Sequence, residues 1–324
     1  MKSVSQIPLI LALLLLAACG GAVEETAAPL LVPTAAPTLE PSPTAAPSAT
    51  PSPTSSPVPS PTLPPPTATA TMAATEPAAG SQSLRYHVVF VAPDDQLNVR
   101  AAAGAGAEIV GALPPTAIDI TITGAARNAG ASMWVPVTAG EVSGWVNSTF
   151  LTTQVPAETF CQSEEVEQLL QDLRQAVADG DEELLASLVH PQRGLRVRTS
   201  WWNPEVRFSG DELGSLLSSQ ATYDWGTEDG SGRDIAGSFA AVILPLLERD
   251  LVPASESGCN EILHGGTAGL VQLPPEYEGM NYASLFRPPG PEAVEMDWGT
   301  WVAGVEEWQG SYYLSYLVHY QWEI

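Results

Sequence analysis

Between about Glu24 and Gln82 the chain offers almost nothing from which a core could be built. The segment consists mostly of Pro, Thr, Ala and Ser, with Pro41-Ser42-Pro43-Thr44, Pro51-Ser52-Pro53-Thr54 and a stiff Pro64-Pro65-Pro66. Proline fixes φ and lacks a backbone N–H, so helix and sheet interiors are closed to such a tract. The composition favours extended polyproline II and an unpacked chain. At about 3.1 Å per residue in that state, the tract would reach on the order of 100 Å or more. It predicts a disordered stalk over residues 19–83, with Ser and Thr available for O-glycans. That leaves residues 84–324 to fold, enough for one large domain or two of ordinary size.

Ahead of the tract, Met1-Lys2 gives a positive start, and Ile7 to Ala18 is almost wholly apolar, interrupted by Pro8. Such a run has the length of a signal-peptide core and is too short for a stable membrane helix. It ends in Leu16-Ala17-Ala18-Cys19, followed by Gly20-Gly21. This resembles the bacterial lipoprotein lipobox. The resemblance implies that residues 1–18 are removed and that Cys19 carries diacylglycerol as the first mature residue. Two or more acyl chains then hold the protein to the bilayer, on the outer, extracytoplasmic face of the cell membrane. An ordinary secretion signal with an incidental cysteine is the alternative. No other run reaches the roughly 18 apolar residues of a membrane helix.

The net charge is −25, and Lys2 is the only lysine. Nucleic-acid binding requires neutralisation of phosphates, so this balance argues against a DNA or RNA partner. It argues equally against a direct electrostatic grip on anionic lipid. Solubility in an extracellular setting accounts for it.

Folded character begins near Leu84. His87 to Val91, Leu97 to Arg100, Ile109 to Leu113, the alternating Ile118, Ile120 and Ile122, Trp134 to Val137 and Gly144 to Val146 read as short strands. Glycine-bearing turns at the spacing seen here predict a small β-barrel over residues 84–155. The ordered set Leu97-Asn98-Val99-Arg100, Gly104, Ile109-Val110-Gly111, Ile122-Thr123-Gly124, Trp134-Val135-Pro136-Val137, Gly144-Trp145-Val146 and Phe150-Leu151 resembles a bacterial SH3 (SH3b) domain. Ala125 to Ser132 is an insert where many relatives have a tighter turn. The resemblance implies an SH3-like barrel and a non-enzymatic module binding cell-wall peptide or another peptide segment. Asn98, Arg100, Trp134 and Trp145 are then the candidate ligand contacts. The alternative is that the two polar residues tie a loop and the tryptophans pack inside.

From residue 156 the pattern becomes mixed. Ser163 is a candidate N-cap with Glu164 and Glu165 in the first turn. Val166, Leu169, Leu170, Leu173 and Val177 share one helix face, and Gly180 is placed to stop it. Asp181 opens a second helix ending at His190-Pro191. Leu195 and Val197 alternate with Arg196 and Arg198 in a strand, with Val206-Arg207-Phe208 as its partner. Ser209 caps Asp211 to Leu217. Ser238 starts the helix Phe239 to Leu247, where Pro245 ends or kinks it. Trp301 to Trp308, a turn at Gln309-Gly310 and Tyr312 to Trp322 predict a closing hairpin. Residues 156–324 are therefore expected to form an α+β domain. The order resembles NTF2-like or cystatin-like folds, and its edges resemble an uncharacterised domain of bacterial surface lipoproteins.

Chemistry-bearing residues are sparse. With Cys19 lipidated, Cys161 and Cys259 remain as a pair in an oxidising compartment, and a disulfide is expected. A nucleophilic Cys259 near His264 is the alternative, but Ser257-Gly258-Cys259-Asn260 departs from the Asp-Cys-Ser-Gly setting of NlpC/P60 peptidases. His87, His190, His264 and His319 show no metal-motif spacing. Asp224, Glu228, Asp229 and Asp234, among Gly226, Gly230 and Gly232, supply hard oxygen donors without the EF-hand spacing, and a solvated turn explains them as well. No metal and no cofactor is expected. The carboxyl half is rich in Trp and Tyr, which could line a pocket for a glycan or small apolar ligand, or simply fill a core. The expected function is that of a surface-anchored, non-catalytic lipoprotein with a ligand-binding or scaffold domain at its end. A cell-wall hydrolase (peptidase or amidase) with its site in residues 156–324 is the alternative.

Overall fold

A computed structural model describes residues 84–266 and 271–323. Cys19, the signal segment and the proline-rich tract lie outside the described residues. All the described residues belong to one compact unit.

The amino module holds eight strands: β1 (Tyr86–Val88), β2 (Leu97–Arg100), β3 (Ile109–Leu113), β4 (Thr121–Ile122), β5 (Arg127–Ala129), β6 (Ser132–Ala139), β7 (Val142–Asn147) and β8 (Leu151–Thr153). Strands β3-β2-β7-β6-β4 form a sheet in that order, with β5 added to β6, while β1 and β8 pair separately. The sheets are open. The closed barrel expected from the sequence is not formed among the described residues: β2 meets β7 only at Arg100–Trp145, and β1 joins the larger sheet's side through a Tyr86–Ile120 bridge and a Val88 N to Ala117 O hydrogen bond rather than a ladder. The expected strand over Ile118–Ile122 shrinks accordingly to β4, and the insert after Gly124 becomes β5. One core holds the module together, formed by Val88, Leu97, Val99, Leu113, Ile120, Val135, Val137, Val146 and Leu151.

The carboxyl module starts with α1 (Ala157–Cys161), α2 (Glu164–Asp179) and α3 (Glu182–Leu188). Ser163 caps α2 by accepting from Val166 N, and Asp181 caps α3 by accepting from Leu184 N. Gly180 ends α2 in the left-handed region at φ 66°, where its N–H closes the last turn. Then follow β9 (Leu195–Arg198), β10 (Val206–Phe208), a 3₁₀ turn over Gly210–Ser215, the hairpin β11 (Tyr223–Thr227) and β12 (Asp234–Gly237), and α4 (Phe239–Leu246). Pro245 ends α4 by handing it into a π turn over Leu247–Leu251. Strands β13 (Glu256–Cys259), β14 (Tyr282–Arg287), β15 (Gly299–Trp308) and β16 (Ser311–Gln321) complete the chain.

The main sheet has the order β10-β9-β16-β15-β14-β13. It is antiparallel except where β16 runs parallel to β9. Its two faces carry two layers. On one, Leu169, Leu173, Val177 and Leu185 of the helices pack with Leu195, Val197, Trp301, Ala303 and Leu317. On the other, Val302, Tyr316, Val318 and Tyr320 meet Tyr277, Met280 and also Val89 and Phe90 of the amino module. The chain leaving β1 thus crosses the boundary expected at residues 155/156. Phe90 sits at φ 60°, its N–H bonded to Glu276 O at 3.0 Å. Gly304 is required by this layering: a Cβ there would meet the Tyr316 ring at 1.9 Å.

Cys161 and Cys259 form a disulfide with 5.8 Å between their Cα atoms, tying α1 to β13 across 98 residues. The expected pairing is present, and Cys259 offers no free thiol for a nucleophile.

Candidate functional sites

Alternation along β2 sends Leu97 and Val99 into the amino core, so Asn98 and Arg100 point to the opposite face. Arg100 is paired with Trp145 across β2 and β7, and Trp145 with Pro136 across β7 and β6. Trp134, two residues before Pro136 on β6, shares that face and stands outside the core cluster. The four residues expected to contact a ligand therefore lie on one side of one sheet. Their accessibility differs. Asn98 is exposed and Trp145 half-buried, with the Arg127 guanidinium 5.1 Å from its ring centroid. Arg100 is half-buried and donates to Ala107 O at 2.6 Å, tying the loop between β2 and β3. Trp134 is buried, and its Nε1 has no hydrogen-bond partner.

A second candidate lies past the carboxyl ends of the parallel pair β9 and β16. There Thr199, Ser200, Trp202 and Asn203 follow β9, and Trp322 and Glu323 follow Gln321 at the end of β16. With the β11–β12 hairpin and α4 they enclose a recess of about 520 Å³. Trp202 and Trp322 are each 38% exposed, and both line it. They are the only Phe, Trp or Tyr side chains among the described residues that fall in the exposed class. Glu323 accepts from Ser200 Oγ at 2.6 Å and Trp202 Nε1 at 3.3 Å. Arg249 Nη2 donates to Gln321 Oε1 at 3.0 Å and is held behind by Asp250 at 2.6 Å. Asn203 is buried and locks the floor: its amide donates to Thr199 Oγ1 and Thr227 O and accepts from Thr227 N. Sequence periodicity could not find this site. Its one trace is the Trp201-Trp202 pair directly before Asn203-Pro204, and the sequence does not tell which ring faces out.

The remaining charged clusters are internal. On the π turn, Asp250 has no solvent exposure and accepts from Arg287 Nε at 2.8 Å, Arg249 Nη2 at 2.6 Å and His319 Nε2 at 2.7 Å. Burial would raise the Asp250 carboxyl, but the His319 and Arg249 hydrogen bonds win and hold it well below the usual range. Burial lowers His319 despite Asp250. With Trp301 against the imidazole at 4.7 Å, the Asp–His pair is a buried tie between turn and sheet.

At the junction of the modules, Arg193 pairs with Glu306 at 2.7 Å, their side chains 4% and 0% exposed. Arg193 also donates to Thr149 O at 3.3 Å and to Leu151 O, reaching into the amino module. Burial would raise Glu306; Arg193 and His190 outweigh it and hold it low. His87 and His190, both beside this pair, are pushed down to about 4 by burial. On the far side, Arg196 pairs with Glu205 at 2.8 Å and lies 3.7 Å from the Phe90 ring centroid, while Tyr277 donates to Glu205 at 2.5 Å.

His264 stacks on Phe286 at 4.1 Å. His264 and His319 thus lie apart from His87 and His190, and among the described residues no group of three or more His, Cys, Asp or Glu side chains is arranged to hold a metal ion. The acidic stretch from Asp224 to Asp234 is a hairpin, in which Asp224 accepts from Gly226 N and Glu228 pairs with Arg233 at 2.8 Å. Among the described residues no helix is long and apolar enough to cross a membrane. Comparison with protein-family models, curated proteins and solved structures returns no match.

Proposed function

We propose that the chain is a surface-anchored, non-catalytic lipoprotein whose amino module, SH3b-like in kind, takes a peptide segment of the cell wall or of another protein. Cys19 carries the lipid and holds the protein to the outer face of the cell membrane, and the proline-rich tract spaces the folded part from it. The carboxyl module is a ligand-binding or scaffold unit.

One observation carries the reading: Asn98, Arg100, Trp134 and Trp145 share the sheet face turned away from the core, with Trp145 partly open beneath Arg127. Beside that face, β3 is the terminal strand of its sheet, and Ile109 and Val110 on it are exposed. An extended peptide can pair with such an edge while its side chains meet the aromatic face.

The test is capture of the purified full chain on insoluble wall material. Trp145→Ala is expected to lower capture several-fold, and Cys19→Ser to move the protein from membranes to the soluble fraction. Clearing of the wall material by the wild-type chain would overturn the non-catalytic reading. Capture unchanged by Trp145→Ala would remove the face from it.

A further inference from the structure

The recess at the ends of β9 and β16 has the chemistry of a specific binding site, and we propose that it binds a hydroxyl-rich saccharide unit of a glycan. This rests on the reading of the carboxyl module as ligand-binding and narrows it to a ligand class. Tryptophan is usually well buried, because its large apolar surface is costly to leave in water. Of the seven tryptophans of the carboxyl module, Trp225, Trp298 and Trp301 are buried, and Trp201 and Trp308 are half-buried. Trp202 and Trp322 break the rule together, on the same recess, although they are 120 residues apart in sequence.

The polar groups around these rings select among ligands. Glu228, Asp229 and Glu323 line the recess with Arg249 as its cation, so an anionic ligand is disfavoured. The acids do not wait for a cation either. Glu228 is engaged by Arg233 and Ser231, and Glu323 by Ser200 and Trp202. These engaged carboxylates give the rim acceptor character, and Arg249 and Gln321 place donor groups beside them. A ligand meeting this rim must both donate and accept hydrogen bonds while presenting an apolar face to indole. Sugar rings do both: their hydroxyls serve in either sense, and their C–H faces stack on aromatic planes. The rim is also held in place in advance. Ser200 and Trp202 orient Glu323, Asp250 anchors Arg249, and Asn203 locks the floor. That lowers the ordering cost that otherwise weakens binding at an open surface. The recess volume of about 520 Å³ lies within the range typical of small-molecule sites.

The experiment is isothermal titration of the purified full chain in detergent. The probes are soluble oligosaccharides of β-1,4-linked hexose and N-acetylhexosamine, choline as a cationic probe, and a short wall stem peptide. At least one saccharide should give saturable heat. Trp202→Ala and Trp322→Ala should each weaken it about tenfold or more, as loss of a central aromatic contact does. Trp145→Ala should leave it unchanged. Trp202→Phe, which keeps an aromatic ring but loses the hydrogen bond to Glu323, should retain part of the affinity, and circular dichroism would confirm that each variant folds. No heat from any saccharide, heat from choline alone, or saccharide heat indifferent to both tryptophan changes would overturn the proposal. Stem-peptide binding lost in Trp145→Ala, with no saccharide heat, would overturn it while leaving the proposed peptide function standing.

Discussion

Strand β2 of the amino module and strand β15 of the carboxyl module both combine apolar residues with charged ones, Arg100 in the first and Glu306 and Glu307 in the second, yet they are buried in different ways. In β2 burial alternates: Leu97 and Val99 are enclosed while Asn98 is exposed. In β15 eight consecutive residues from Gly299 to Glu306 are buried. The first sheet has its core cluster on one side, and its other side is partly open: Asn98 is exposed and Trp145 half-buried, while Trp134 is buried. The second is sandwiched between the helices and a layer made of Tyr277, Met280, Val89 and Phe90. A one-sided sheet has a face to offer a ligand. A two-sided sheet has given up both faces and leaves only its strand ends open to a ligand, where Thr199, Ser200, Gln321 and Trp322 gather. The same contrast governs charge. The amino face leaves Arg127 over Trp145 near solvent, whereas the carboxyl sheet encloses Arg193–Glu306 and Arg196–Glu205.

The most direct way to break this arrangement is to remove one partner of an enclosed pair. Glu306→Ala leaves Arg193 buried without its counter-charge, and such changes typically cost about 3–5 kcal/mol. Arg193 also binds carbonyls of the amino module, so the loss should be felt on both sides of the junction. Urea unfolding should show a large drop in midpoint, and hydrogen exchange should rise at Ser148–Leu151 as well as in β15. A loss confined to the carboxyl module would show that the junction pair does not couple the two. Comparable in size is the disulfide. Cys161→Ser with Cys259→Ser opens a long loop within the carboxyl module, which in the chain-entropy model costs about 4.7 kcal/mol. Capture of peptide by the amino face should persist in that variant at temperatures where it stays folded. Its disappearance there would mean that the open face depends on the carboxyl module's rigidity.

Acid sharpens the contrast further, because the groups it affects lie at the junction and in the enclosed sheet. His87 and His190 are pushed down to about 4 by burial, against an unfolded value near 6.5. Between those values the unfolded chain binds more protons than the folded one. Stability is therefore complete above about pH 6.5 and falls as pH drops toward 4, by up to about 3 kcal/mol for each histidine. Below that, Glu306 and Asp250, both held low in the fold, lose their contributions as they protonate. Urea midpoints measured from pH 7 to 4.5 should decline steadily. A flat profile across this window would mean that the two imidazoles are not enclosed.

The one-sided module was the easier to read. Period-two alternation placed β2, because water on one face enforces the pattern, and apolar runs between glycine-bearing turns placed β3, β6 and β7. Helix caps at Ser163, Asp181 and Ser238 were equally legible, since each answers a local need of the helix start. What the sequence could not reveal is layering. Arg196 alternates with Leu195 and Val197 as a solvent-facing residue would, yet it is buried, because Phe90, more than a hundred residues away in the chain, lies over it. Sheet closure was misjudged for the same reason: it depends on whether strand ends meet, as at Arg100–Trp145, and composition does not encode that. Asp250 gave no signal because a π turn is set by tertiary packing. The recess tryptophans were present in the aromatic inventory, but only the fold shows which rings face out.

The smallest expected effect tests the open face itself. Arg100 faces outward with Asn98 but donates to Ala107 O at 2.6 Å, so its guanidinium holds the loop between β2 and β3. Arg100→Ala should cost about 1 kcal/mol, the net worth of one such hydrogen bond. Amide exchange at Ala101 to Ala107 should speed up, while the core around Val99 and Val146 stays protected. The ligand readout then divides the face. If peptide capture falls only slightly while Trp145→Ala abolishes it, Arg100 belongs to the loop and Trp145 to the ligand. If the two changes weaken capture equally, at equal stability, the guanidinium meets the ligand directly and the one-sided sheet uses its charged residues as well as its rings.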